Sequence, residues 1–85
     1  MKAWECIEQA GWWQASESWR DGRLCIFMAI RRAYEGDSTA IMEGARKVAR
    51  HVAGGDSNIL QVYAWNDTPQ RTQAEVVILL KELNL

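Results

Sequence analysis

Long hydrophobic runs, prolines, disulfide-forming cysteines and an excess of charge are all scarce in this 85-residue chain. Each scarcity excludes something. The longest wholly apolar run, Leu24–Ile30, falls far short of the roughly 20 residues that cross a bilayer. Near the start, Glu5, Glu8 and Gln9 stand where a secretory leader needs apolar residues, so no leader and no membrane are expected. Cys6 and Cys25 are too few and too irregularly placed for a disulfide framework, which points to free thiols in the cytoplasm. Ten basic and eleven acidic residues leave a net charge of −1, without the basic excess that usually marks a nucleic-acid binder. The single histidine, His51, is too little for a metal ligand set, and neither metal nor cofactor is expected. Pro69 is the only proline; with φ fixed and its donor gone it suits a turn and bars a helix interior.

What is abundant is apolar surface and tryptophan. An apolar fraction of 48% with 25% charged residues is globular composition, so residues 1–85 make one domain with its own modest core. The five tryptophans are Trp4, Trp12, Trp13, Trp19 and Trp65, four of them within the first nineteen positions. Tryptophan fills cores and is also enriched at interface hot spots, so the five need not share one role.

Hydrophobic spacing predicts an all-α fold: a compact bundle of four to five short helices. Residues 2 to 10 form the first, with Trp4 and Ile7, and Cys6 and Ala10, on one stripe. Gly11 stops it in a left-handed conformation. Trp12-Trp13-Gln14-Ala15 follows as an extended stretch or wide turn. Residues 22 to 35 form the central helix, apolar all round and therefore buried all round, with Asp21 near its N-cap. A strand is the alternative for its apolar run. Asp37-Ser38-Thr39 caps a third helix, with Ile41, Ala45, Val48, Ala49 and Val52 inward, ending near Ala53. Asp56-Ser57 caps a short fourth through Ile59–Tyr63, a segment whose Ile, Val and Tyr also suit a strand.

The stretch from Trp65 to Val76 is the most informative. It reads as a buried aromatic at Trp65, a turn in which Asn66 and Asp67 fold onto nearby amides, and the entry to a last helix over 73–83. Thr72 and Glu75 have capping-box spacing. Arg71 is placed to reach back to Asp67, an ion pair of small value if exposed.

The pattern Trp65-Asn66-Asp67-Thr68-Pro69-x-Arg71-Thr72-x-x-Glu75-Val76 resembles the closing motif of an uncharacterised small family found mostly in actinobacteria and their phages. Gly11-Trp12-x-Gln14-Ala15 and Gly22-x-x-Cys25 are similar to earlier pieces of the same family, while Ser16 and Phe27 depart from the small residues it has there. The resemblance implies a fold and a phage-like origin, and carries no activity with it.

Three kinds of function are open to these residues. The first is protein–protein binding by a small cytosolic phage or prophage-type protein, with a host protein or a second copy as partner. Trp13 and Trp19 are then the partner-binding residues, with Trp12 packed inward and Trp13 substantially exposed. Trp65, Asn66, Asp67, Arg71, Thr72 and Glu75 form a structural motif. The second is a nucleic-acid-binding regulator using Arg31, Arg32, Arg46, Lys47 and Arg50 across two helices. The third is a thiol enzyme with Cys25 in the first turn of the central helix and His51 as its base. Burial among Leu24, Ile26 and Met28 would instead leave Cys25 inert. The absence of a phosphate loop, a ligand set and a basic excess favours the first, which is not an enzyme.

Overall fold

A computed structural model describes residues 1–14, 22–54 and 58–85. Five helices follow one another among them: α1 (Ala3–Ala10), α2 (Ile26–Ala33), α3 (Ser38–Ala53), α4 (Ile59–Asn66) and α5 (Gln73–Glu82). Their Cα radius of gyration is 11.5 Å, close to the roughly 12 Å of a compact chain this long.

Helix α2 packs against α1, α3 and α4, while α5 closes against α1. Ile26, Ala29 and Ile30 of α2 are fully buried, together with Ile7, Val48, Val62, Val76 and Leu80 from the other four helices. The helix is shorter than the predicted 22–35. Leu24 is instead extended and forms a parallel bridge with Trp12. Leu24 donates its N–H to Gly11 O at 2.9 Å, and its carbonyl receives Trp13 N at 3.1 Å. Helical spacing cannot anticipate this, because the pairing partner, Trp12, lies twelve positions earlier in the sequence.

Gly11 makes that pairing possible. Its φ of 91° and ψ of 158° are positive-φ and extended, a region essentially confined to glycine, and not the left-handed helical conformation expected. A Cβ there would also sit 3.3 Å from Arg23 Cγ. Gly44 works by size. It is buried in mid-α3, and a Cβ would meet Ile30 Cγ2 at 3.2 Å and Leu85 Cδ2 at 3.4 Å, so its absence lets α3 approach α2.

The helix ends follow local chemistry. The Asp37 carboxylate accepts Ala40 N at 3.0 Å to start α3. Asn58 caps α4, accepting Leu60 N at 2.8 Å, with Gln61 closing the box on Asn58 N; the proposed cap at Asp56-Ser57 lies outside the described residues. Helix α4 runs three residues past Tyr63, so Trp65 and Asn66 are helical and the turn begins at Asp67. Helix α5 ends in a Schellman motif: Leu85 N reaches Leu80 O at 2.9 Å, Asn84 N reaches Lys81 O at 3.1 Å, and Asn84 is left-handed at φ 59°. That hook buries Leu85, whose O accepts Ala3 N, and Lys2 Nζ donates to Asn84 O and Oδ1. The two ends of the described chain are thereby clasped.

Candidate functional site

Asn66 is the buried polar residue among the described positions, 1% exposed. Its place at the end of α4 puts it four residues after the buried Val62, on the same inward face. A buried amide must find partners, and here all its capacity is used. Oδ1 accepts the Trp12 indole Nε1–H at 2.7 Å and Ile26 N at 3.0 Å. Nδ2 donates to Trp13 O at 3.1 Å and to Asp67 Oδ1 at 2.9 Å. The Gln14 amide nitrogen adds bonds to Asn66 O at 3.3 Å and Thr68 O at 2.7 Å. One side chain thus joins the extended 12–14 segment, the start of α2 and the end of α4. It also explains why α2 begins at Ile26: a residue forty positions away caps that amide. The turn role expected of Asn66 is therefore corrected to a core junction.

Each described tryptophan is engaged within the chain. Trp12 packs against the core and donates to Asn66. Trp4 is half-buried with Lys81 Nζ 4.4 Å from its ring centroid. Trp65 is half-buried against the core, with the Arg71 guanidinium 3.8 Å above it. Trp13 is half-buried, not substantially exposed: Arg23 lies 5.0 Å over its ring, and its backbone is held by Leu24 and Asn66. Trp19 lies outside the described residues.

The turn and the start of α5 form a second constellation. Arg71 donates Nε to Trp65 O at 3.1 Å and pairs forward with Glu75 at 3.1 Å, rather than back to Asp67. Thr72 Oγ1 accepts Glu75 N at 3.2 Å, and Glu75 Oε1 accepts Thr72 N at 3.0 Å. The Thr72 amide, then the Arg71 and Thr72 side chains, hold the Glu75 carboxyl below its ordinary range. A depressed folded pKa means a contribution present above the unfolded value and lost as pH falls through the folded one. Thr72→Ala is expected to cost about 1 kcal/mol. Losses on Thr72→Ala and Glu75→Ala should be less than additive in urea melts at neutral pH, and the coupling should fade on acidification; full additivity would refute the reciprocal bond.

A groove of about 410 Å³ runs between α3, α4 and α5, lined by His51, Val52, Trp65, Glu75, Ile78, Leu79 and Glu82. Ile78 is 56% exposed at its edge. Glu82 and His51 face each other across it at 3.8 Å. A smaller hollow of about 320 Å³ is lined by Trp12, Trp13 and Gln14.

Cys25 occupies the N-cap of α2, one position before the helix, and is 4% exposed. Burial pushes its thiol up, opposed by hydrogen bonds from the Met28 and Phe27 amides. Asp67 is the charged group that reaches it, and raises it further. His51 turns instead toward Glu82. Thiol reagents at neutral pH should therefore label Cys25 slowly until denaturant is added; fast labelling of the native protein would revive a nucleophilic role. Among the described residues, no three His, Cys, Asp or Glu side chains gather as a metal site, and no helix is long and apolar enough to cross a membrane. Arg31, Arg32, Arg46, Lys47 and Arg50 are all exposed on α2 and α3.

An all-α domain with five helices among its described residues, organised on a buried asparagine and with an open groove beside α5, is the class these observations define. Residues 1–83 match the model of the family of unknown function DUF6197, and the chain belongs to that family. No curated protein and no solved structure matches it.

Capping-box spacing singled out Thr72 and Glu75, and the closing motif included Trp65 and Arg71; the structure brings these four together. Spacing missed Asn66 as a junction, although the Val62–Asn66 interval of four carried the signal. The α3–α5 groove had no signal in sequence, because its walls come from three separate helices.

Proposed function

We propose that this protein works by binding another protein, and that the α3–α5 groove is its contact surface. The observation that carries this is Ile78, 56% exposed beside a concave wall of Val52, Trp65 and Leu79. A large aliphatic side chain left in water next to further apolar surface is a feature of contact sites. Trp13, covered by Arg23 and fixed by its backbone, is a weaker candidate than the sequence suggests. Burial of the Cys25 thiol speaks against nucleophilic chemistry. The resemblance of the closing motif supports a phage or prophage-type origin, for which the partner would be a factor in the host's cytoplasm.

Ile78→Glu should leave far-UV circular dichroism and melting temperature near wild type, since the side chain is mostly exposed. Tagged wild type and Trp13→Ala should retain the same partner from bacterial lysate, while Ile78→Glu loses it. Retention by Ile78→Glu would remove the groove from the account. A second reading, nucleic-acid binding, rests on the five exposed cations of α2 and α3. A gel shift whose affinity falls steeply with salt and with Arg46→Ala and Arg50→Ala would favour it instead.

A further inference from the structure

We infer that the α3–α5 groove takes up one long cationic side chain, a lysine or arginine, from a basic segment of the partner protein. This rests on the binding reading above and adds the chemistry of what binds. The groove offers two kinds of surface side by side. Val52, Ile78 and Leu79 are aliphatic, and Trp65 adds an indole. Glu75 and Glu82 supply carboxylates on the same helix. A lysine or arginine has matching parts, an apolar stem and a charged head.

The two carboxylates are not equivalent. Glu75 is already bonded to Thr72 and Arg71, so much of its charge is answered within the chain. Glu82 is exposed, and His51 Nε2, 3.8 Å away and beyond hydrogen-bond distance, answers its charge only when the imidazole is protonated. Glu82 therefore sets where the partner's charge settles. Ile78, four residues earlier on the same helix face, sets where the stem lies. The Trp65 ring already takes the Arg71 guanidinium at 3.8 Å, and Trp4 and Trp13 take Lys81 and Arg23 in the same way. Indole–cation contact is thus a contact this fold uses repeatedly.

Size and charge discriminate among occupants. About 410 Å³ lies at the small end of the roughly 300–1,000 Å³ typical of ligand sites, which suits one side chain rather than a whole helix face. An acidic segment would meet like charge at Glu82. A purely apolar one would cover that carboxylate without pairing it, which is costly.

The test is a titration of the intact, isotope-labelled protein by NMR with three short synthetic peptides of one neutral sequence, carrying lysine, glutamine or glutamate at the same positions. The lysine peptide should shift the amides of Val52, Ile78 and Leu79 and the Trp65 indole, more weakly as salt rises. Glu82→Gln should weaken it about tenfold, the scale of one lost charge-assisted hydrogen bond. Glu43→Gln, about 12 Å along α3 from His51 at about 1.5 Å per residue, should not weaken it. Equal binding of the glutamine or glutamate peptide at the groove would overturn cation selection while keeping the groove as a contact surface. Equal loss on Glu43→Gln would reduce the effect to general charge attraction and overturn the assignment. Groove shifts that depend on protein concentration without peptide would identify a second copy as the occupant. No shift with any peptide, together with partner retention by Ile78→Glu, would remove the binding reading itself.

Discussion

Asn66→Ala is expected to be the most damaging polar substitution in the protein, costing about 3–5 kcal/mol. It leaves the Trp12 indole N–H, the Ile26 N–H and the Trp13 carbonyl without their partner. Each orphaned group costs about 1–3 kcal/mol, the higher figures applying where water cannot enter. For a chain of this length the melting temperature should fall by about 15–30 °C. Asn66→Asp separates the donor from the acceptor role. The new carboxylate could still accept from Trp12 and Ile26, but it would face Trp13 O and Asp67 Oδ1 with no proton to donate. Burial and those oxygens would raise its folded pKa above the ordinary value of about 3.9. The sign follows from that: its protonated form is accommodated below the unfolded pKa, and stability is lost as pH rises through the raised folded one. The deficit of Asn66→Asp against wild type should therefore widen from acid to neutral pH in parallel thermal melts. A deficit independent of pH would mean that the Nδ2 bonds contribute little.

Trp12→Ala should cost about 3 kcal/mol, near the lower end for large-to-small changes because the ring is only half-buried. It removes packing against the core and one of the two donors to Asn66 Oδ1. Trp12→Phe should restore most of the packing and leave a deficit of about 1 kcal/mol, the typical net value of the hydrogen bond. Trp13→Ala should cost less than Trp12→Ala, because the ring lies outside the core cluster and loses mainly its contact with Arg23, of a kind worth about 0.5–1 kcal/mol when exposed. Denaturant melts of the three variants check the order. A larger loss for Trp13→Ala would mean that the two faces of this segment are reversed.

Neighbouring residues of like kind diverge because of where the chain holds them. Trp12 and Trp13 are adjacent, and an extended backbone sends their rings to opposite sides. The sequence indicates that one must turn inward; that Trp12 does so is fixed by Asn66, fifty-four positions away. Trp13 stays half-buried because Leu24 and Asn66 clamp its backbone and Arg23 covers its ring.

What the sequence by itself determined is the set of features that depend on residues within about one helical turn. The Asp37 cap, the Thr72–Glu75 box and the inward stripe of α3 are of this kind, since a side chain three or four residues away decides each one. The all-helical class follows from the same short-range periodicity. Only the tertiary structure decided where α2 begins, what Asn66 does and where the groove lies. The start of α2 depends on an amide supplied by α4, and on a Trp12–Leu24 pairing that Gly11 permits through a backbone conformation closed to other residues. The groove depends on α3, α4 and α5 meeting so that Ile78 is left outside the core while Leu79, its neighbour in sequence, is buried. Helical periodicity says that two such neighbours point about 100° apart. Which of them faces protein and which faces water is settled by the packing of the other helices, and no short stretch of sequence carries that information.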